Sequence, residues 1–180
     1  METILEIVKY TVPAIVVLLS SYLIVKRFLV NELKRKQFAL LHETQNVTIP
    51  LRLQAYERLA LFTERMHPRQ LVPRVYVPGM TVNDLQQALL LTIRTEFEHN
   101  LSQQIYVSKE VWSTVKTVKE QELNMISHIA KQLPPDAPAK ELHVKIVDYV
   151  LTTESALPTD IALQVINDEA KRVLSYGAQA

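Results

Sequence analysis

TVNDLQQALLLTIRTEFEHNL, residues 81–101, decides how this chain folds. Leu85, Leu89, Ile93, Phe97 and Leu101 recur every four residues. That spacing lays an apolar stripe along one face of an α-helix and does not match the two-residue period of a strand. Thr81, with Asp84 three residues later, makes an imperfect capping box that opens the helix. Pro78-Gly79, just upstream, suits the central positions of a type II turn. The segment reads as the central core helix.

The same pattern extends outward in both directions. Upstream, LRLQAYERLALFTERM (residues 51–66) aligns Leu51, Ala55, Leu59, Phe62 and Met66, with Leu53 and Tyr56 beside them. Pro68 stops it, because a proline ring clashes with the preceding turn of a helix. A proline-rich loop is expected from there to Gly79. Downstream, Ile105-Tyr106-Val107 reads as a connector, and Ser108 as the cap of a helix that turns Val111, Val115, Val118, Ile126, Ile129 and Leu133 inward. PPDAPA (residues 134–139) breaks the chain. Two shorter helices follow: Ala139 to about Thr152, burying Leu142, Ile146 and Val150, and Pro158 to Ser175, burying Ile161, Val165, Ile166, Ala170 and Val173. Residues 177–180 read as a frayed tail. The expected fold is all-α, with an irregular bundle of about five amphipathic helices over residues 50–176. Solenoid repeats are absent, and heptad spacing is not sustained past Leu41.

The opening METILEIVKYTVPAIVVLLSSYLIVKRFLV (residues 1–30) is different in kind. It has no charge from Tyr10 to Val25, and residues 4–25 as a helix would reach ~33 Å against a hydrocarbon thickness of ~30 Å. A basic leader and a small-residue cleavage site are both missing, which argues against a removed signal. The expectation is one N-terminal transmembrane helix over residues 1–30. Lys26, Arg27, Lys34, Arg35 and Lys36 follow it, so the positive-inside rule puts the N-terminus outside and the C-terminal domain in the cytoplasm. These five side chains are the expected lipid contact, worth about 1 kcal/mol each near anionic headgroups. Residues 31–49 are expected to form a basic juxtamembrane helix and a polar joint, the latter reaching Pro50.

Composition removes several function classes. Two glycines in 180 residues leave little for Gly-rich phosphate loops, and the absence of cysteine excludes disulfides, thiolate metal sites and a cysteine nucleophile. Six of the 20 basic residues and three of the 19 acidic residues lie at or before Lys36, so the body is slightly acidic. No nucleic-acid partner is expected of it.

Chemistry-bearing constellations are few. Glu96 and His99 form a Glu-x-x-His pair, the unit of carboxylate-bridged metal bundles, but no second copy exists. Glu122, in the apolar seam of its helix, and Glu57 and Glu64 make a mononuclear site conceivable. The plainer reading is that Glu96 and His99 satisfy each other or a neighbouring arginine, so no metal, cofactor or catalytic residue is expected. Arg58, Arg65 and Arg69, at helical spacing and joined by Arg52 and Arg74, are a possible interaction patch for phosphate or carboxylate groups. The competing reading pairs them with Glu57, Glu64, Glu96 and Glu98. His42, His67, His128 and His143 are scattered, and no Ser-His-Asp arrangement is recognisable.

RLQAYERLALFTERM (residues 52–66) and TIRTEFEHNLSQQIYVS (residues 92–108), the latter following PGMT (residues 78–81), resemble a family of uncharacterised membrane-anchored bacterial proteins of Bacteroidota type. The resemblance covers nearly the whole chain. It implies one N-terminal span, a bacterial inner-membrane setting and a helical soluble body, and it brings no catalytic residues. The function expected is that of an adaptor or accessory subunit of a membrane complex, presenting a helical protein-interaction domain. A membrane-surface module binding anionic lipids is the alternative, and a metal-dependent enzyme using Glu96 and His99 is a third.

Overall fold

The computed structural model describes the backbone of residues 2–153 and 155–178, and the side chains of residue 9, residues 15–153 and residues 155–175. Among the described residues there are six α-helices and no strand: α1 (Glu2–Met66), α2 (Pro68–Val75), α3 (Val82–His99), α4 (Lys109–Ala130), α5 (Ala139–Thr152) and α6 (Pro158–Ala178). A 3-10 turn, Leu101–Ile105, links α3 to α4. The all-α class is therefore what the structure has.

The transmembrane anchor expected over residues 1–30 is overturned. Among the described residues, no helix is long and apolar enough to cross a membrane. Among the described side chains the apolar run covers residues 15–25, ~16 Å as a helix against a hydrocarbon thickness of ~30 Å, and Lys26 and Arg27 follow it. The side chains of residues 4–8 and 10–14, the other part of the expected span, lie outside the described residues.

The chain divides into two compact units, residues 1–47 and residues 48–180. In the first, every large apolar side chain from Ile15 to Leu41 is between 43% and 69% exposed. Residues 43–50, which the sequence suggests as a joint, are helical in α1. Helix formers on both sides carry the backbone past Pro50 at the cost of a hydrogen bond.

The second unit is a packed bundle. α3 packs against α2, α4 and α5, while α4 also meets α5 and α6. Leu85, Leu89 and Ile93 of α3 are fully buried, and so are Val111 and Val115 of α4, Leu142 and Ile146 of α5, and Ala162 and Ile166 of α6. Leu59, Phe62 and Met66, from the last turns of α1, close the same core. Phe97 is the aromatic hub: its ring lies 6.0 Å from that of Phe62 and stacks at 5.4 Å on Trp112, with the Lys119 ammonium 4.5 Å from its centroid.

The capping box predicted at Thr81 is formed. The Asp84 N–H donates to Thr81 Oγ1, and the Thr81 N–H donates to Asp84 Oδ2. The Thr81 N–H bond, with a second from the Thr81 hydroxyl to the same Oδ2, holds the Asp84 carboxyl below its usual range. Gly79 has φ +91°, the left-handed conformation required at the second centre of a type II turn, and the Met80 N–H closes the turn on Val77 O. That loop is pinned to the break between α4 and α5. Val82 N–H donates to Ala137 O, and Ala139 N–H donates to Met80 O.

Several details differ from the sequence reading. The proline-rich stretch after His67 folds into α2, because Pro68 occupies its first turn, where a missing N–H costs nothing, and the His67 ring accepts from the Arg69 N–H. The stripe of α3 ends before Leu101, which lies in the 3-10 turn and is 41% exposed. Ile161 is 51% exposed, and its neighbour Ala162 takes the inward position on α6.

Candidate functional site

Two of the polar constellations of the second unit are built on opposite logic. The first is a satisfied clamp at Glu169 of α6. Its carboxylate accepts from the Tyr56 hydroxyl of α1 at 2.5 Å, from the Ser108 N–H at 3.1 Å and from the Ser108 hydroxyl at the start of α4. Arg52 donates to the Tyr56 hydroxyl at 2.9 Å and to Tyr106 O at 3.1 Å, with its guanidinium 3.7 Å from Glu169. Burial pushes the Glu169 carboxyl up. The bonds from Ser108 and Tyr56 and the charge of Arg52 outweigh that push and hold it below its ordinary value. Burial raises Tyr56, and Glu169 reinforces the shift. Ser108 also caps α4 by accepting from the Val111 N–H. One carboxylate thus ties α1, α4 and α6 together.

The second constellation is not satisfied. Glu122, at mid-length in α4, is 2% exposed, and its Oε2 has no hydrogen-bond partner among the described residues. Burial alone pushes its carboxyl up to about 8, so it is a neutral acid at pH 7. It lines an open cavity of about 620 Å³ whose apolar wall comes from Met125 and Ile129 of α4 and from Leu157 and Pro158 at the start of α6, with Tyr149 of α5 across it. Asn124, Ser127, His128 and Lys131 supply the polar part of the lining. Of these side chains, Asn124, His128 and Lys131 are exposed. The volume falls in the range of small-molecule sites, which combine apolar walls with a few fixed polar groups.

The residues singled out from sequence are distributed as follows. Glu96 is paired with Arg65 at 2.7 Å and with Arg74 at 3.7 Å, while His99 Nδ1 faces Thr95 O at 2.9 Å. The two are therefore not bonded to each other, and Glu96 has the arginine neighbours that the plainer reading gave it. Among the described residues, no three His, Asp or Glu side chains gather as a metal set. Arg65 is half-buried and paired with Glu96, whereas Arg58 and Arg69 are exposed. Glu57 and Glu64 are exposed, and Glu64 accepts from Gln70. Lys26, Arg27, Lys34, Arg35 and Lys36 are all exposed on α1, with Lys26 lying 5.9 Å from the Tyr22 ring centroid.

A family model matches residues 2–173. The chain belongs to DUF7935, a family of unknown function. No curated protein and no solved structure matches it. The family thus agrees with the sequence resemblance in extent, and DUF7935 assigns no activity to any of the side chains above.

The Glu169 clamp was missed in the sequence, although the signal was present. Glu169 sits three residues after Ile166 and four before Val173, on the face of α6 that those two bury. Glu122 was visible as an acid in an apolar seam. The cavity beside it was not, because it is made by residues from three helices.

Proposed function

We propose that this member of DUF7935 is an interaction protein: a helical domain over residues 48–180 serves as an adaptor or accessory subunit, and the apolar part of α1 is the element covered on assembly. The observation that carries this reading is the 43–69% exposure of every large apolar side chain from Ile15 to Leu41. From Ile15 to Val25 those residues surround the helix rather than form a stripe, and a helix apolar on all sides is stable only when enclosed. The occupant that fits is a set of apolar helices from a partner complex in a bacterial cell. Gentle purification tests it. A stoichiometric protein partner is expected, and it is expected to be lost when Leu18 and Phe28 are replaced by Gln. A chain that runs as an isolated monomer under every mild condition would overturn the reading.

The basic cluster favours a second reading, contact with anionic lipid headgroups. Lys26, Arg27, Lys34, Arg35 and Lys36 are exposed, and none makes an ion pair among the described residues. Such contact draws on charge at the surface and is screened by salt. Flotation with phosphatidylglycerol vesicles should be strong at low salt and fall steeply at high salt, with phosphatidylcholine vesicles left behind. Equal flotation with both lipids would remove the role of these five residues.

A further inference from the structure

Among the described residues, the bundle buries one carboxyl group without giving it a partner, and it places that group at a cavity. A buried polar atom with no hydrogen bond is costly, and native folds rarely keep one without a use. Glu122 Oε2 has no partner among the described residues, and the opening beside it is about 620 Å³, far more than one water needs. The basic side chains of the lining, His128 and Lys131, are exposed. The site is therefore acidic at its buried end, apolar along Met125, Ile129 and Leu157, and donor-rich where it meets solvent.

We propose that the cavity between α4, α5 and the start of α6 binds a small organic ammonium compound, with its cationic nitrogen on Glu122, its carbon skeleton along the apolar wall and an acceptor group toward His128 and Lys131. An ammonium group supplies what Glu122 lacks, a donor that carries the opposite charge. Bonds of that kind are about twice as strong as neutral ones and gain further where water is thin. The Tyr149 ring adds a face suited to a cation or to a flat skeleton. The elevated carboxyl is consistent with the arrangement: burial keeps Glu122 protonated until a cation arrives to compensate its charge.

Fluorine NMR on the full chain tests this directly with 4-fluorophenethylamine and its neutral isostere 2-(4-fluorophenyl)ethanol. The expected result is binding of the amine at least about tenfold tighter than the alcohol. Glu122→Gln should abolish that preference while the alcohol binds as before, and Met125→Trp, which fills the cavity, should displace both probes. The wild-type comparison stands even if a variant is unstable. Equal affinities for the two probes, no binding of either, or a preference that persists in E122Q would each overturn the proposal.

Discussion

Residues 1–47 and residues 48–180 have similar side-chain vocabularies and opposite fates. Leu18 is 69% exposed, whereas Leu89 is fully buried. The difference lies in periodicity. In α3 the apolar residues repeat every four positions, so a bundle needs to cover only one face, and charged side chains hold the other face in water. In the first unit the apolar residues fall on all sides of α1, and no single neighbouring face could bury them. Burial in the second unit is consequently supplied by the chain itself, whereas the large apolar side chains of the first from Ile15 to Leu41 are 43% to 69% exposed. The predictions below set the two regions, and the two polar sites within the second, against each other.

The largest effect is expected at Glu122. Its folded-state carboxyl titrates at about 8 against 4.5 when unfolded. The folded state therefore holds the proton more tightly, and stability is full below about 4.5, falls as pH rises and levels off above about 8. The loss is up to about 5 kcal/mol. Glu169 has the opposite sign: its lowered value means that its contribution is present above 4.5 and is lost as pH falls. Denaturant unfolding across pH should therefore give a maximum near the ordinary carboxylate range, and Glu122→Gln should remove the decline on the alkaline side only. A flat profile for the wild-type chain would show that Glu122 is not held in an apolar environment.

Next in size is the comparison of leucines. Leu89→Ala should cost about 3 kcal/mol in unfolding free energy, because it leaves a cavity in the core. Leu18→Ala should move the same transition by less than about 0.5 kcal/mol. Equal costs would break the distinction between the regions. Ser108→Ala is a smaller change. It removes the cap of α4 and one bond to Glu169, and a loss of about 1 to 2 kcal/mol is expected in the same assay. The smallest effect belongs to the basic cluster, where each Lys or Arg replaced by Gln should weaken vesicle binding by about 1 kcal/mol without changing the unfolding midpoint.

Much of the second unit was legible residue by residue. The four-residue repeat placed α3, Thr81 with Asp84 gave its start, and Ser108 gave the start of α4, because caps and periodicity are local properties of sequence. Two kinds of feature were not legible. α2 was hidden by its prolines, which look like loop residues unless their position in the first turn is known. The cavity at Glu122 and the clamp at Glu169 depend on how α1, α4, α5 and α6 meet, and spacing within one helix does not encode that. The anchor reading rested on residues 4–25 as one span, and among the described residues no helix is long and apolar enough to cross a membrane. For the candidate sites, an acid in an apolar seam was the useful sequence signal, whereas the Glu96 and His99 spacing was not, since Arg65 and Arg74 claim Glu96.

A photo-crosslinking residue placed at Leu18 and, separately, at Leu91, which is 66% exposed on α3, compares two leucines of nearly equal exposure in the intact cell. The account predicts a discrete protein adduct from position 18 and none from position 91. No protein adduct from position 18, or the same adduct from both positions, would contradict it.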